Sequence, residues 1–294
     1  MRNWSKSWII ALTTATSAAI LLTMFVSHGA QRGTAPAQGG LARISGKPDF
    51  SGIWEANNTA NWDLQTHAAR PMIGQPGFSP NSVVLAAPVL GLGSIGWVPG
   101  GLGVVDGEEI PYQPWAAQRK KENLEHWMDR DPEIKCFQPG VPRAMYMPHP
   151  FQIIQKPNEL TILYEYVHTV RYIFANGTPH PKGPIEWWLG DSRGRWEGDT
   201  LVVDVVHFND QTWFDRAGNF HSDALHVVER YSLVDPDHIN YAVTIEDPKV
   251  FTRPWNMNMV LYRHKEKNFQ LYEYECYGFD FEKLYPYPEI GGAR

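Results

Sequence analysis

From Phe151 onward, short runs of alternating apolar and polar residues recur at even spacing, separated by tight-turn residues. "FQIIQK" runs into Pro157-Asn158-Glu159. "RWEGDTLVVDVVHF" places a Gly198-Asp199 turn between Trp196 and an apolar run. "LHVVERYSLV" ends at Asp235-Pro236-Asp237, and "INYAVTIED", "WNMNMVLYRH" and "FQLYEYECYGF" follow. Strands this close together pair with their sequence neighbours, which predicts an antiparallel barrel or sandwich. Within this series "LTILYEYVHTVRYIF" reads as one long strand broken at Asn176-Gly177, and "IEWWLGDS" and "RWEG" read as short strands around Arg193-Gly194. The aromatic, proline and glycine content (12 Trp, 13 Tyr, 13 Phe, 23 Pro, 25 Gly) agrees with a turn-rich β protein.

The first half of the chain is organised differently. Arg2 and Lys6 precede an uncharged run of 20 residues, Ser7 to Val26. This reads as an export signal over residues 1–30, or as an N-terminal membrane anchor if it stays uncleaved. Either places the rest of the chain outside the cytoplasm, periplasmic or secreted. A linker over 31–45 leads into a single domain over 46–294. Residues 71–107, rich in Gly and Pro, read as a long irregular lid. Residues 114–130 read as the one helix, with Pro114 in its first turn and Trp115, Ala116, Arg119, Leu124 and Trp127 at helical spacing. Cys136 and Cys276 are the only cysteines. Two readings stay open for them: a long-range bridge, or two reduced buried thiols.

"DFSGIWE" contains the Gly52-Ile53-Trp54 triplet, which resembles the opening signature of lipocalins and related calycin barrels. "RWEGDTLVV" is similar to a hairpin of fatty-acid-binding-protein-like barrels. The resemblance implies a mainly β, calycin/lipocalin-like antiparallel barrel, with the Trp packed across its closed end. A wider resemblance, carried by "PDFSGIW", "CFQPGVPR", "GDSRGRWEGDTLVVD", "FNDQTWFDRAG" and "EDPKVFTRPW", is to an exported protein family common in soil bacteria. It implies one exported domain and transfers no catalytic residue.

Several function classes are excluded. A net charge of -6 gives nucleic-acid phosphates nothing to bind. "GLGSIG" (residues 91–96) matches a dinucleotide fingerprint in letters only, because "WVPGGLG" follows it and cannot open a helix. No G-x-S-x-G elbow exists and no redox-cofactor motif, so no cofactor is expected. The histidines lack H-x-H or H-E-x-x-H spacing, and no metal is assigned.

What remains is a small-molecule site lined by aromatic and titratable groups. Strand alternation offers Glu165, Arg171, His207 and His226 as candidate acid/base and anion-stabilising residues. Tyr164, Tyr166, His168, Trp213, Asp215 and Glu229 are candidate ligand contacts. In "TLVVDVVHF", Asp204 and His207 fall on opposite faces, with His207 expected inward and Asp204 outward. The expected function is binding of a small, partly aromatic molecule in the barrel with non-redox acid/base chemistry of lyase, isomerase or hydrolase type. Two alternatives are a binding protein without turnover and a carbohydrate-active protein using Trp213 with Asp215 or Glu229.

Overall fold

A computed structural model describes residues 40–71, 73–76, 83–85 and 97–276. The basic and apolar N-terminal run, "GLGSIG", much of the 71–107 segment and the last part of "FQLYEYECYGF" lie outside the described residues. The protein is mainly β, and its centre is a closed nine-stranded barrel. Its strands are β1 (Gly52–Ala56), β2 (Phe151–Lys156), β3 (Glu159–Tyr164), β4 (Val170–Phe174), β5 (Asp191–Glu197), β6 (Thr200–Val206), β7 (His226–Asp235), β8 (His238–Glu246) and β9 (Trp255–Arg263). They follow chain order around the barrel, and β9 closes it on β1 through Leu261↔Ala56 and Arg263↔Trp54.

An odd number of strands cannot alternate direction all the way round a closed ring. One neighbouring pair has to be parallel, and here it is β4 and β5. That pairing spans only Ile173↔Ser192 and Phe174↔Arg193. A parallel connection returns the chain to the end it started from, so residues 175–190 travel back along the outer wall.

Each strand faces the axis with every second residue. Along β8 the inward set is Ile239, Tyr241, Val243 and Ile245, and along β9 it is Trp255, Met257, Met259 and Leu261, all buried. These pack with Trp54, Phe151, Ile153, Ile162, Val203, Val205 and Val227 into one core. One end of the barrel carries the tight turns, including Gly198, whose φ of +62° suits a residue without Cβ. Trp54 lies at this end with its indole nitrogen donating to the Phe50 carbonyl (2.9 Å) and the Arg263 guanidinium 4.1 Å from its ring centre. The other end is covered by the long connections: Leu64, Val105, Ile110, Phe208, Phe214 and Phe251 continue the core there.

Helix α1 (Pro114–Glu125) lies in that cover, with Ala116 and Asn123 buried. The helix expected over 114–130 is interrupted at His126, whose ψ of 28° at φ -119° leaves the helical region, and a four-residue turn α2 (Trp127–Arg130) follows. Three other expectations need correction. "LTILYEYVHTVRYIF" is two antiparallel strands, because the chain reverses over residues 165–169 with left-handed φ at Val167 (+47°) and His168 (+50°). "DSRGRWE" is one continuous strand, and "IEWW" belongs to the return segment. Residues 268–276 form no strand beyond an isolated bridge from Tyr274 to Tyr166. Within 71–107 the described residues include short antiparallel pairs, 70–71 with 97–98 and 73–76 with 83–85. Asp106 and Val104 bond to the backbone of β9. Cys136 and Cys276 are joined by a disulfide, with Cα atoms 5.5 Å apart.

Candidate functional site

The short parallel pairing of β4 and β5 has a direct consequence for the surface. Past Ile173 and Ser192, towards the covered end, the two strands no longer hydrogen-bond to each other. The return segment lies beside this split: Trp187 donates its amide to the His207 carbonyl (2.9 Å), and Leu189 is buried. Between that segment and β4 is a groove of about 420 Å³. Its walls are Val170, Tyr172 and Phe174 on one side and Glu186, Trp187, Trp188 and Leu189 on the other. Gln138, Gly190 and Asp191 complete the lining, and Arg171 and Ser192 form the floor. Tyr172 is 52% exposed and Trp187 38% exposed, so aromatic faces stand open to solvent. Trp188 is backed by Phe137 in a stacked pair with centroids 5.1 Å apart.

Asp191 links the groove to a chain of alternating histidines and carboxylates over the outside of β5 to β8. Arg193 grips Asp191 through two nitrogens at 2.7 and 2.8 Å. His180 Nδ1 lies 2.6 Å from Asp191 Oδ2, and its Nε2 lies 3.5 Å from Asp204 Oδ2. Asp204 Oδ1 is 2.5 Å from His226 Nε2, and His226 Nδ1 is 3.1 Å from Glu246. Burial works to raise the Asp191 pKa, but hydrogen bonds from Arg193 and His180 outweigh it and hold the value below the ordinary carboxylate range. Burial lowers the His226 pKa, yet its hydrogen bonds to Asp204 and Glu246 prevail and raise it.

The expected site residues are distributed over four places. Arg171 and Glu229 meet in the barrel core, with Arg171 Nη1 3.0 Å from Glu229 Oε1 and Nη2 bonded to Oε2. Ser192 Oγ accepts twice from Arg171 (3.0 and 2.9 Å), and Tyr231 and Tyr241 donate to Glu229 (2.9 and 2.7 Å). Tyr164 is also inward, its hydroxyl 3.1 Å from Met145 Sδ, and burial pushes its pKa up to about 12. Glu165 lies instead in the β3–β4 turn, 3.4 Å from His149 and accepting the Tyr272 amide at 2.8 Å. Tyr166 donates to the Glu133 carbonyl, and exposed His168 sits 3.2 Å from Glu275. The face shared by Glu165 and Arg171 in the sequence reading does not exist, because the reversal separates them.

His207 is likewise corrected. Its φ of +63° takes it out of the strand alternation, and its Nε2 lies 3.1 Å from the Pro181 carbonyl, outside the barrel beside Trp187 and His180. Asp204 is outward, as expected. Trp213, Asp215 and Glu229 are all buried, so none of them offers a platform or carboxylate to a sugar. Asp215 holds a turn: it accepts from the amides of Leu64, Ala217 and Asn219 and from the Asn219 side chain. Burial and the Asp63 charge push its pKa up to about 7 against these donors.

His180, Asp191, Glu186 and Trp187 were not legible as site residues. They lie in "TPHPKGPIEWWLGD", whose second half reads as a short strand and whose first half carries no period, so nothing local brings His180 to Asp191.

A second charged cluster braces the covered end. Buried Arg143 bonds Asp131 through two nitrogens (2.8 and 3.0 Å), Glu133 (2.7 Å) and Asn61 (2.9 Å), and Arg216 closes on Glu133 at 2.6 and 2.7 Å. Burial opposes ionisation of Glu133, but Arg216 and Arg143 dominate and bring its pKa down to about 2. Every charge is matched, which fits a brace better than a reactive centre. Among the described residues no group of three or more His, Cys, Asp or Glu side chains is placed to hold a metal ion, and no helix is long and apolar enough to cross a membrane. No protein-family model, no curated protein and no solved structure matches the chain.

Proposed function

We propose that this protein binds a small, partly aromatic molecule in the groove between β4 and the return segment, and performs non-redox acid/base chemistry there. The observation that carries the reading is the junction of the two features at Asp191. An aromatic-walled groove of ligand size ends on a carboxylate that begins a row of neighbouring histidines and carboxylates. Asp191, held ionised by Arg193 and His180, is the proton acceptor facing the ligand. His180 donates its Nδ1–H to Asp191 and steadies it as the acceptor, and Asp204, His226 and Glu246 continue the row of titratable groups towards solvent. The reaction type is lyase, isomerase or hydrolase. The inward faces of the barrel serve as packed core, so the groove replaces the barrel interior as the ligand site.

Titration with a panel of small aromatic alcohols, amines and acids, followed by tryptophan fluorescence, tests this. Trp187→Ala should weaken the best binder about tenfold. Asp191→Asn should remove turnover of any compound converted while leaving its affinity nearly unchanged. An entire panel without binding, or affinity indifferent to Trp187, sinks the groove reading. Turnover that survives in Asp191→Asn sinks the acid/base role and leaves the second reading, a binding protein without turnover. The double clamp of Arg193 on Asp191 favours that second reading, since it weakens the carboxylate as a base.

We further propose that the chain is exported, either released or held by an uncleaved N-terminal anchor, and that it belongs with the exported soil-bacterial proteins it resembles. The Cys136–Cys276 bridge supports this, since disulfides persist in oxidising compartments. A calycin-like barrel is the finer fold assignment, supported by Trp54 packed at the tight-turn end.

A further inference from the structure

The charges around the groove are unequally committed. Arg171, in the floor, spends its guanidinium on Glu229 and Ser192 inside the core. Arg193, beside it, is committed to Asp191 and Thr178. Among the described residues no lysine lines the groove. Glu186 does line it, is exposed, and has no hydrogen-bond or ion-pair partner among the described residues. Among the described lining residues an anionic ligand would therefore meet two carboxylates, Glu186 and Asp191, and no uncommitted cation.

The aromatic walls point the same way. The face of an aromatic ring carries the negative lobe of its quadrupole and attracts a positive group within about 6 Å, and Trp does so best. The wall already shows this interaction in miniature: the Arg193 guanidinium carbon lies 4.8 Å from the centre of the Phe174 ring. Tyr172 and Trp187 present exposed rings to the same groove with nothing cationic placed on them in the described structure.

We infer that the ligand is an organic cation, an amine or quaternary ammonium attached to an apolar or aromatic body. Its charge sits against Trp187 and Tyr172 with Glu186 as counter-ion, and its body fills the groove over Val170 and Leu189. The inference rests on the groove being the ligand site. It adds the sign of the ligand's charge and the residues that read it. A cation beside Asp191 also assists the proposed chemistry, because a positive nitrogen acidifies the adjacent C–H bonds from which a carboxylate would take a proton.

The test uses three probes of similar size on the full chain: benzyltrimethylammonium, benzyl alcohol and benzoate. Binding is read by tryptophan fluorescence and calorimetry. Benzyltrimethylammonium should bind about tenfold more tightly than benzyl alcohol, with benzoate weakest. Glu186→Gln should shrink the preference about threefold, and added salt should do the same. Trp187→Leu should remove most of it. Unchanged thermal unfolding of both surface variants excludes misfolding as the cause. If benzyl alcohol or benzoate binds as tightly as the cation, the charge assignment fails while the groove stands. If the cation preference survives in Glu186→Gln and Trp187→Leu alike, the residues assigned to it are wrong. If none of the three binds, the groove reading fails and the inference with it.

Discussion

Arg171 and Glu229 show what one residue can demand of a core. Each is buried, and each has its polar atoms satisfied: the guanidinium by Glu229 and Ser192, the carboxylate by Arg171, Tyr231 and Tyr241. Removing one member leaves the other charged without its partner in a low-dielectric interior. Arg171→Met is expected to cost about 3–5 kcal/mol in urea unfolding, and Arg171→Met with Glu229→Leu should recover part of that loss. A single-variant loss under about 1 kcal/mol would show the pair to be dispensable. The sequence displays both residues but not their partnership. Alternation ranks neighbours within a strand, and these two are 58 positions apart. Outward, His226 is sensed by pH. Its folded-state pKa is raised above 6.5, so its stabilising effect is fully present below that value and fades as pH rises through the folded-state pKa. The wild type should exceed His226→Gln in thermal stability at pH 6, by less than about 1 kcal/mol given the pair's partial exposure, and the gap should close in alkali. A gap that widens with pH contradicts the assignment.

At the scale of elements, the hairpins were legible where turn chemistry announced them. Gly198-Asp199 and Pro236-Asp237 sit between strands that run as their alternation predicts. The β3–β4 reversal was not legible, because Glu165 to Thr169 contains no Gly, Pro, Asn or Asp and resembles strand throughout. The return segment was not legible either: closure of nine strands dictates it, and no local pattern records that closure. It re-enters the barrel at Gly190, whose φ is +65° and where a Cβ would lie 2.8 Å from Val205 Cγ1 and 2.9 Å from the Val206 carbonyl. Gly190→Ala should therefore cost about 1–3 kcal/mol and displace Asp191 beside it. Weaker binding of the groove's ligand together with a lowered melting temperature would register both effects. An unchanged melting temperature would show that the backbone yields there without cost.

For the whole molecule, the disulfide ties the segment before the barrel's second strand to the end of the described chain, across 140 residues. It also anchors the stretch carrying Phe137 and Gln138, one backing a groove wall and the other lining it. Cys136→Ser with Cys276→Ser should lower unfolding free energy by about 2–5 kcal/mol, measured against the oxidised protein in denaturant. Equal stability of the two would mean the bridge closes nothing that packing does not already hold.

Sequence alone determined that this chain is mainly β and that turn residues such as Gly198-Asp199 and Pro236-Asp237 join successive strands, because alternation and turn chemistry are local and each residue reports its own preference. It did not determine which distant charges meet, where the chain reverses without a turn signal, or where the barrel wall opens. Those depend on closure of the ring: with nine strands one pair must run parallel, the return segment must cross the outside, and the groove lies beside the split that results. His180 and Asp191 became neighbours only through that crossing, and Glu165 and Arg171, which the sequence placed together, were parted by a reversal no residue announced.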